Sequence, residues 1–288
     1  NFLLIYKSRL VTIPIINKEV LIYGAGLGVK GAAISTSISN SLGGIIMVYL
    51  LFNGSQIIHL DIKDMFNFDK KLLKHIFNTG APATGQDLVT NFGQVLFQKI
   101  ISTLGTIQIA AHHLATTAES LSYMPAAGFS VAATTLVGRA LGAGKKEDAE
   151  TFGKICFRLS LLAGLISGSL LFIFPKQLMG LFSDDINVIN EGVGALRVIA
   201  FIQPLFNATI VLTGVLRGAG DTKVPLYAAL GGMWIVRLIS AYIFINVFGL
   251  GLRGAWLGML LDLFFRFTIV FTRYYKRKWL DNKIYVDD

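Results

Sequence analysis

Hydrophobic residues in this chain fall in runs of about 20, the length of a helix that crosses a hydrocarbon core of about 30 Å. The runs predict seven complete membrane spans joined by short loops. They lie near residues 29–52, 80–103, 107–137, 153–174, 191–215, 224–248 and 252–273. We therefore predict an all-α integral membrane protein, a polytopic bundle of transmembrane helices.

Three segments depart from this simple pattern. Residues 1–6 resemble the end of an apolar helix, and the chain does not begin with Met, which together predict further polypeptide upstream. Residues 64–77 alternate Phe and Leu with Lys at helical spacing, which favours a helix lying in the membrane interface. The third span contains Pro125 and Gly128, which predict a break or bend in it.

A glycine-rich motif occurs twice, before the first complete span and before the seventh. The copies read Gly26-Leu27-Gly28-Val29-Lys30-Gly31-Ala32 and Gly249-Leu250-Gly251-Leu252-Arg253-Gly254-Ala255. One repeat is therefore six spans long, which predicts twelve spans in two pseudo-symmetric six-helix lobes.

This repeat divides the chain into four parts. Residues 1–52 would hold the end of the N-terminal lobe, with the tail of its fifth helix and all of its sixth. Residues 53–79 would form a cytoplasmic interlobe loop with the interfacial helix. Residues 80–279 would form the six-helix C-terminal lobe, and residues 280–288 a cytoplasmic tail.

Composition and charge agree with a membrane protein and with one orientation. Only 15% of the residues are charged, whereas a soluble domain has about a quarter. The net charge of +9 does not indicate nucleic-acid binding, because Lys and Arg collect in short loops. With a cytoplasmic C-terminus, the loops on that side hold about twice as many basic residues as the opposite side, as the positive-inside rule requires. We predict a multi-pass protein of the plasma membrane.

No enzyme chemistry or cofactor is predicted. The repeated motif matches the dinucleotide fingerprint G-x-G-x-x-G, but it lacks the preceding strand and the following acidic residue. Cys156 is the single cysteine, and His112 and His113 have no cysteine or HExxH partner. The sequence shows no convergent nucleophile, base or metal-ligand set, so the protein is predicted not to be an enzyme.

Polar residues line one face of the second span. Asp87, Asn91, Gln94 and Gln98 fall within an arc of about 60° at 100° per residue, with Thr90 beside them. A polar stripe at membrane depth must face protein or water. It therefore indicates either a wall of a hydrated cavity, which we favour, or a hydrogen-bonded helix contact.

The third span carries a second polar face, formed by His112, Thr116, Glu119 and Tyr123. An acidic residue at membrane depth is costly and is a candidate functional site. Glu119 could take up a proton or a cation, or it could be a structural carboxylate bonded to a neighbouring helix.

Two further spans contribute candidates. In the fifth span Gln203 and Asn207 share a face beside Pro204, which frees a backbone carbonyl and predicts a bend. In the last span Asp262 and Arg266 are four residues apart, which favours a neutralising structural ion pair.

Four stretches together resemble the multidrug and toxic compound extrusion (MATE) family. They are residues 104–112, 123–144 and 214–223 and the glycine-rich repeat, and the resemblance extends over about residues 1–278. It implies a monomeric twelve-helix antiporter that exports organic cations and drugs in exchange for Na⁺ or H⁺ by alternating access. It also implies that the C-terminal lobe is whole here and that most of the N-terminal lobe is not.

Two positions depart from the family pattern. Some members couple through carboxylates in the C-terminal lobe, and the corresponding positions here carry Thr90 and Phe206. Coupling in this lobe would then need Asp87 or Glu119, and in other members an N-terminal-lobe carboxylate serves instead. Two alternatives remain: a lipid-linked saccharide flippase of the same architecture, and a non-transporting membrane protein.

Overall fold

A computed structural model describes residues 7–13, 18–25, 28–52 and 70–281 of the chain. The chain divides into two compact units, residues 1–70 and residues 71–288. Helices dominate both units, and the predicted polytopic helix bundle is confirmed.

The first unit contains a strand pair that the sequence analysis did not predict. Strand β1 (Lys7–Ile13) pairs antiparallel with β2 (Lys18–Ala25), and Val11 lies opposite Val20. Both strands are short and rich in β-branched and apolar residues, which suits strand pairing but does not distinguish a strand from part of a helix. Helix α1 (Gly28–Phe52) follows. The helix tail expected at residues 1–6 lies outside the described residues.

The second unit is a bundle of helices joined by short turns. Its elements are α2 (Lys70–Ser102), α3 (Thr106–Gly142), α4 (Lys146–Ile173), α5 (Pro175–Gly180), α6 (Ile186–Ala200), α7 (Gln203–Gly218), α8 (Lys223–Ala229), a π-helical turn (Leu230–Arg237), α9 (Leu238–Asn246), α10 (Gly251–Tyr275) and a 3₁₀ turn (Lys278–Asp281).

Each of the seven predicted spans coincides with a helix or a chain of helices, but their apolar character differs. Within the described ranges, four helices are long and apolar enough to cross a membrane, and α6 with α7, bent by 61°, makes a fifth as a pair. Helices α2 and α3 occupy the remaining two predicted spans, and their polar faces lower their hydropathy. Both repeat copies start a helix at the same glycine of the motif, Gly28 and Gly251.

The structure places some helix boundaries differently from the sequence analysis. Residues 70–77, expected in a separate interfacial helix, are the first turns of the continuous helix α2, and the second unit begins at Lys71. Residues 64–69 lie outside the described ranges. Helix α3 runs unbroken through Pro125 and Gly128, where a break was expected. Residues 280 and 281 belong to the 3₁₀ turn, which contains the fully buried Trp279.

The bend between α6 and α7 is packed against two glycines of α4. A Cβ atom at Gly164 would lie 2.5 Å from Pro204 Cα, and one at Gly168 would lie 2.7 Å from the carbonyl oxygen of Ala200. Small residues of this kind let helix backbones approach closely in membranes. Helices α3, α4 and α7 therefore pack tightly around the point where α7 begins, which brings Gln203 to the middle of the bundle.

Candidate functional site

The polar stripe of α2 is exposed. Asp87, Asn91, Gln94 and Gln98 are all exposed, and the side chain of Asp87 is 68% accessible. A different face of the helix is buried, because Phe97 is 1% exposed and a Cβ atom at position 93 would clash with Met233. The amide of Gln98 contacts the ring of His113. Thr90 is half-buried and donates its hydroxyl hydrogen to the carbonyl oxygen of Gln86. This hydroxyl is therefore already hydrogen-bonded within its own helix.

Arg217, in the last turn of α7, contacts the N-terminal end of this stripe. Its guanidinium donates to Gln86 Oε1 at 3.0 Å and lies 3.4 Å from Asp87 Oδ1. Both Gln86 and Arg217 line a cavity of about 230 Å³, together with Phe206, Thr213, Pro225 and Arg266. Neither residue was a candidate from the sequence, although Gln86 adjoins Asp87, and Arg217 lies just beyond the predicted fifth span in the last turn of α7.

The acidic residue of α3 is buried against α7. Glu119 is 1% exposed, and its Oε1 accepts a hydrogen bond of 3.2 Å from Gln203 Nε2. One turn further along both helices, Asn207 Nδ2 donates to the carbonyl oxygen of Ser122 at 3.2 Å. Gln203 and Asn207 are fully buried. These residues therefore form a ladder of contacts between two helices and do not line an open cavity.

Three polar side-chain atoms of this ladder lack a hydrogen-bond partner. Gln203 Oε1, Asn207 Oδ1 and Ser122 Oγ are buried without a hydrogen-bond partner. Each such atom carries a desolvation cost of about 1–3 kcal/mol when it is left unsatisfied. Carboxylate, amide and hydroxyl oxygens are also the ligands that hard cations prefer. The chemistry of the ladder suits a proton or a small cation beside Glu119.

The other residues of the α3 face have separate surroundings. His112 is 7% exposed and packs edge-on against Phe97 and Trp256, with ring centroids 5.8 Å and 5.9 Å away. Thr116 is half-buried and donates to the carbonyl of His112 in its own helix. Tyr123 is half-buried and packs edge-on against Phe206 at 5.6 Å. The predicted face is thus mostly a packed helix surface.

Asp262 and Arg266 are in contact, and a second arginine joins them. Arg266 Nε lies 2.6 Å from Asp262 Oδ1, and Arg237 Nε lies 2.7 Å from Asp262 Oδ2. Asp262 is fully buried and Arg237 is 4% exposed. Arg237 lies towards the end of a predicted span, where a basic side chain is expected to extend to the membrane surface, but it is buried instead. The π-helical turn, which no sequence pattern predicted, places Arg237 inside the bundle.

The structure therefore separates the candidates into two groups. The α2 stripe is exposed among the described residues, whereas Glu119 and its partners are enclosed. No group of three His, Cys, Asp or Glu side chains suited to a metal ion occurs in the described part of the chain, and Cys156 is a buried free thiol.

Comparisons of the sequence with known proteins place it among transporters. A family model described as MatE matches residues 82–243. A probable multidrug resistance protein NorM of Thermotoga maritima is 33% identical over 260 residues, which are 88% of this chain and 54% of that protein. An uncharacterized transporter, YisQ of Bacillus subtilis, is 28% identical over 256 residues, 88% of this chain and 56% of that protein. The chain spans about half the length of the curated relatives it matches.

Comparisons with solved structures give the same fold. An outward-facing multidrug resistance MATE family transporter of the MOP superfamily superposes with a TM-score of 0.78 at 23% identity, over 88% of this chain and 56% of that one. A MOP superfamily transporter from Pyrococcus furiosus, described by the reverse polarity of its binding pocket, superposes with a TM-score of 0.79 at 24% identity, over 88% and 57%. At this identity the match concerns the fold alone.

Proposed function

Because the chain belongs to the MATE family of membrane transporters, we propose that it forms part of a secondary active transporter. The transporter exports drugs or other organic cations in exchange for Na⁺ or H⁺ by alternating access. The observation that supports this proposal most directly is the separation of an exposed polar wall on α2 from the enclosed carboxylate of Glu119. An exchanger can hold its substrate and its coupling ion at two separate sites of this kind.

The exposed stripe of α2 suits an organic cation. Its side chains are neutral or acidic, and Asp87 is the most accessible charge among them. Tyr123 and Phe206 form an aromatic pair, and aromatic faces attract cations by about 0.5–2 kcal/mol. Neutral hydrogen-bonding groups tolerate many substrate shapes, which fits the export of unrelated compounds.

Glu119 is the residue that we propose for coupling in this lobe. A cation or proton that binds there changes the charge at the contact between α3 and α7. Gln203, the first residue of α7 after the bend, would transmit that change because its amide contacts the carboxylate. Coupling requires that the ion binds one arrangement of the helices more tightly than another.

We also propose that the transporter is a monomer in the plasma membrane with a cytoplasmic C-terminus. Two ion pairs indicate that the basic residues near the C-terminus and those at the start of α4 lie at the same end of the bundle. Lys146 contacts Asp281, and Arg277 contacts Glu150. The end of α10 therefore lies beside the start of α4. A C-terminal epitope that antibody reaches in intact cells, before permeabilisation, would contradict this orientation.

Efflux from vesicles tests the proposed function. The complete protein in vesicles is expected to export a fluorescent organic cation when a Na⁺ or H⁺ gradient is imposed. Glu119→Gln keeps the size of the side chain and removes its charge, so gradient-dependent export is expected to fall at least about tenfold, within the range of coupling free energies of 1–3 kcal/mol. Asp87→Asn is expected to weaken substrate binding and raise the half-saturating substrate concentration.

The matched control is Glu147→Gln, which removes an exposed carboxylate at the start of α4. Its export is expected to equal that of the unmodified protein. Normal gradient-dependent export by Glu119→Gln would place the coupling site outside this lobe. Absence of export under either gradient would reject drug efflux.

One observation favours a second candidate, a flippase for lipid-linked saccharides. Arg217 and Arg266 both line the cavity between α2, α7 and α10, and guanidinium groups bind phosphates in bidentate geometry. Gradient-independent movement of a lipid-linked pyrophosphate in vesicles that fail to export cations would support this candidate.

A further inference from the structure

A cavity at the basic end of the bundle has no role in the exchange proposed above. It has a volume of about 320 Å³ and lies between the first turns of α4 and the chain that follows α10. Its walls are two cations, one carboxylate and three aromatic rings, contributed by Glu150, Lys154, Tyr274, Tyr275, Arg277 and Trp279. We call it the end cavity. Charged groups beside aromatic rings favour a ligand that has both a charged and an apolar part.

The positive charges of the end cavity outnumber its negative charge and lie outside it. Glu150 Oε1 lies 2.7 Å from Lys154 Nζ and 2.6 Å from Arg277 Nη2. The Glu150 side chain is 18% exposed, whereas those of Lys154 and Arg277 are 51% and 64% exposed. A guanidinium has several N–H donors, so the contact with Glu150 leaves most of those of Arg277 available. The three groups together carry one positive charge in excess, and an approaching anion meets the two cations first.

The chain turns sharply after α10 to bring Arg277 against α4. Arg277 has a φ of 54°, and it is the single residue other than glycine with a positive φ in the described part of the chain. That conformation is unfavourable for a residue with a Cβ atom. It is held by Trp279, which is fully buried, stacks on Tyr274 with ring centroids 5.7 Å apart and donates Nε1–H to the carbonyl oxygen of Tyr274 at 3.0 Å. Backbone strain that the surrounding packing maintains is common at ligand-binding sites.

A column of aromatic rings leads from the membrane-spanning part of α10 to the end cavity. Phe267, Phe271 and Tyr275 follow one another at intervals of four residues, and their rings stack at centroid distances of 5.2 Å and 6.0 Å. The ring of Phe157 on α4 lies 5.9 Å from that of Phe271. Tyr275 is 75% exposed and the phenylalanines are half-buried, so part of each ring remains accessible. Apolar rings that end at a cationic cavity match the layout of a phospholipid, whose acyl chains end at a charged headgroup.

We propose that the end cavity binds the phosphate of an anionic phospholipid headgroup, with an acyl chain lying along the aromatic column. Arg277 offers the phosphate a two-pronged contact, and Lys154 adds a point charge beside it. Tyr275 lies between the headgroup and the chain, at the level of the membrane surface where Tyr and Trp are enriched. The bound lipid joins the end of α10 to the start of α4 and so stabilises this end of the bundle.

A lipid accounts for more of the site than a soluble phosphate does. A free phosphate uses the two cations and leaves the aromatic column without a role. The surface of the cytoplasmic leaflet is negative, and basic pockets between helices on that side bind anionic headgroups. This agrees with the cytoplasmic C-terminus proposed above. The inference goes beyond cation export and needs no coupling role for Glu119.

The test is the stabilisation of the complete purified protein by lipid added to a neutral detergent. Phosphatidylglycerol is expected to raise the melting temperature in a saturable way, because a ligand that binds the folded state alone stabilises that state. Phosphatidylcholine with the same acyl chains has a headgroup without net charge and is expected to give a much smaller rise. Inorganic phosphate at the same concentration is expected to give none.

Two substitutions remove the cations one at a time. Arg277→Gln and Lys154→Gln are each expected to raise the half-saturating concentration of phosphatidylglycerol about fivefold, the contribution of one basic side chain beside an anionic lipid. Arg277→Lys keeps the charge and is expected to bind the lipid more tightly than Arg277→Gln. The readout is the rise with lipid and not the melting temperature itself, so a weakened ion pair with Glu150 does not imitate the effect.

The matched control is Lys223→Gln, which removes one exposed positive charge at the same end of the bundle. Lys223 starts α8, and Oδ2 of the neighbouring Asp221 lies 2.6 Å from Arg273 Nε near the end of α10. The substitution changes the net charge as Arg277→Gln does but lies outside the end cavity. Its half-saturating concentration of phosphatidylglycerol is expected to stay within about twofold of that of the unmodified protein, because solvent screens separated surface charges.

The outcomes separate this inference from the proposed function. Equal stabilisation by phosphatidylglycerol and phosphatidylcholine would overturn the inference, as would equal weakening in Arg277→Gln and Lys223→Gln. A rise with inorganic phosphate that matches the rise with phosphatidylglycerol would also overturn it, since the cavity would then take a soluble anion. Glu119→Gln is expected to lose export and keep the response to phosphatidylglycerol. A missing lipid response with normal export would therefore reject the inference alone, and missing export with a normal lipid response would reject the proposed function alone.

Discussion

Replacing Asp262 by Asn is expected to prevent accumulation of folded protein in the membrane. The change leaves Arg237 and Arg266 facing a neutral amide, and Arg237 is 4% exposed and cannot reach water. Breaking a buried ion pair by removing one partner costs about 3–5 kcal/mol, since an uncompensated charge remains. The measurement is the amount and melting temperature of monodisperse protein after extraction with a mild detergent.

The control for this variant is Asp281→Asn, in the 3₁₀ turn that follows α10. Asp281 pairs with Lys146 at 2.8 Å, but its side chain is 78% exposed. Exposed ion pairs contribute about 0–1 kcal/mol, so the melting temperature is expected to change little. Equal melting temperatures for the two variants would show that the charge cluster around Asp262 does not stabilise the bundle.

Replacing Gly164 by Ala is expected to destabilise the bundle and to disturb the bend between α6 and α7. The added Cβ would lie 2.5 Å from Pro204 Cα and 2.8 Å from the carbonyl oxygen of Gln203. Both are backbone atoms, so no side-chain rotation relieves the contact and the two helices must separate. Overpacking of this kind costs about 1–3 kcal/mol and occasionally more. Because Gln203 contacts Glu119, export is expected to fall as well.

Gly128→Ala is the matched control, a glycine within the long helix α3. A Cβ atom there would meet nothing within 4 Å. Alanine is favoured over glycine inside a helix by about 0.5–1 kcal/mol, so this variant is expected to be neutral or slightly more stable. The two substitutions are chemically identical and have opposite expected signs, which thermal unfolding of both proteins would resolve. A stable, active Gly164→Ala protein would contradict the close packing at the bend.

Of the two arginines that contact Asp262, one could be predicted from the sequence and the other could not. The i, i+4 spacing of Asp262 and Arg266 is readable from the chain, and the structure brings them into contact. Arg237 is 25 residues from Asp262 and sits near the end of an apolar run, so its sequence position suggested a residue at the membrane surface. The π-helical turn and the packing of α9 against α10 decide otherwise.

The polar faces of α2 and α3 show a similar contrast between what spacing predicts and what packing decides. On α2 the helical spacing of Asp87, Asn91, Gln94 and Gln98 predicted a common face, and the structure leaves that face exposed. On α3 the same spacing argument grouped His112 with Glu119, but the structure buries both. Periodicity shows which side chains share a face of a helix. It does not show whether another helix covers that face.

The sequence by itself determined that this protein is a membrane helix bundle of the MATE family, where most of its helices lie, and which residues are costly enough at membrane depth to need a partner. Length, hydropathy and helical period are local properties, and they survive in the chain without knowledge of its neighbours. Only the tertiary structure decided that Gln203 meets Glu119 and that Arg237 shares Asp262. Those facts depend on which helices touch, and contacts between residues distant in the chain arise from packing that no local pattern encodes.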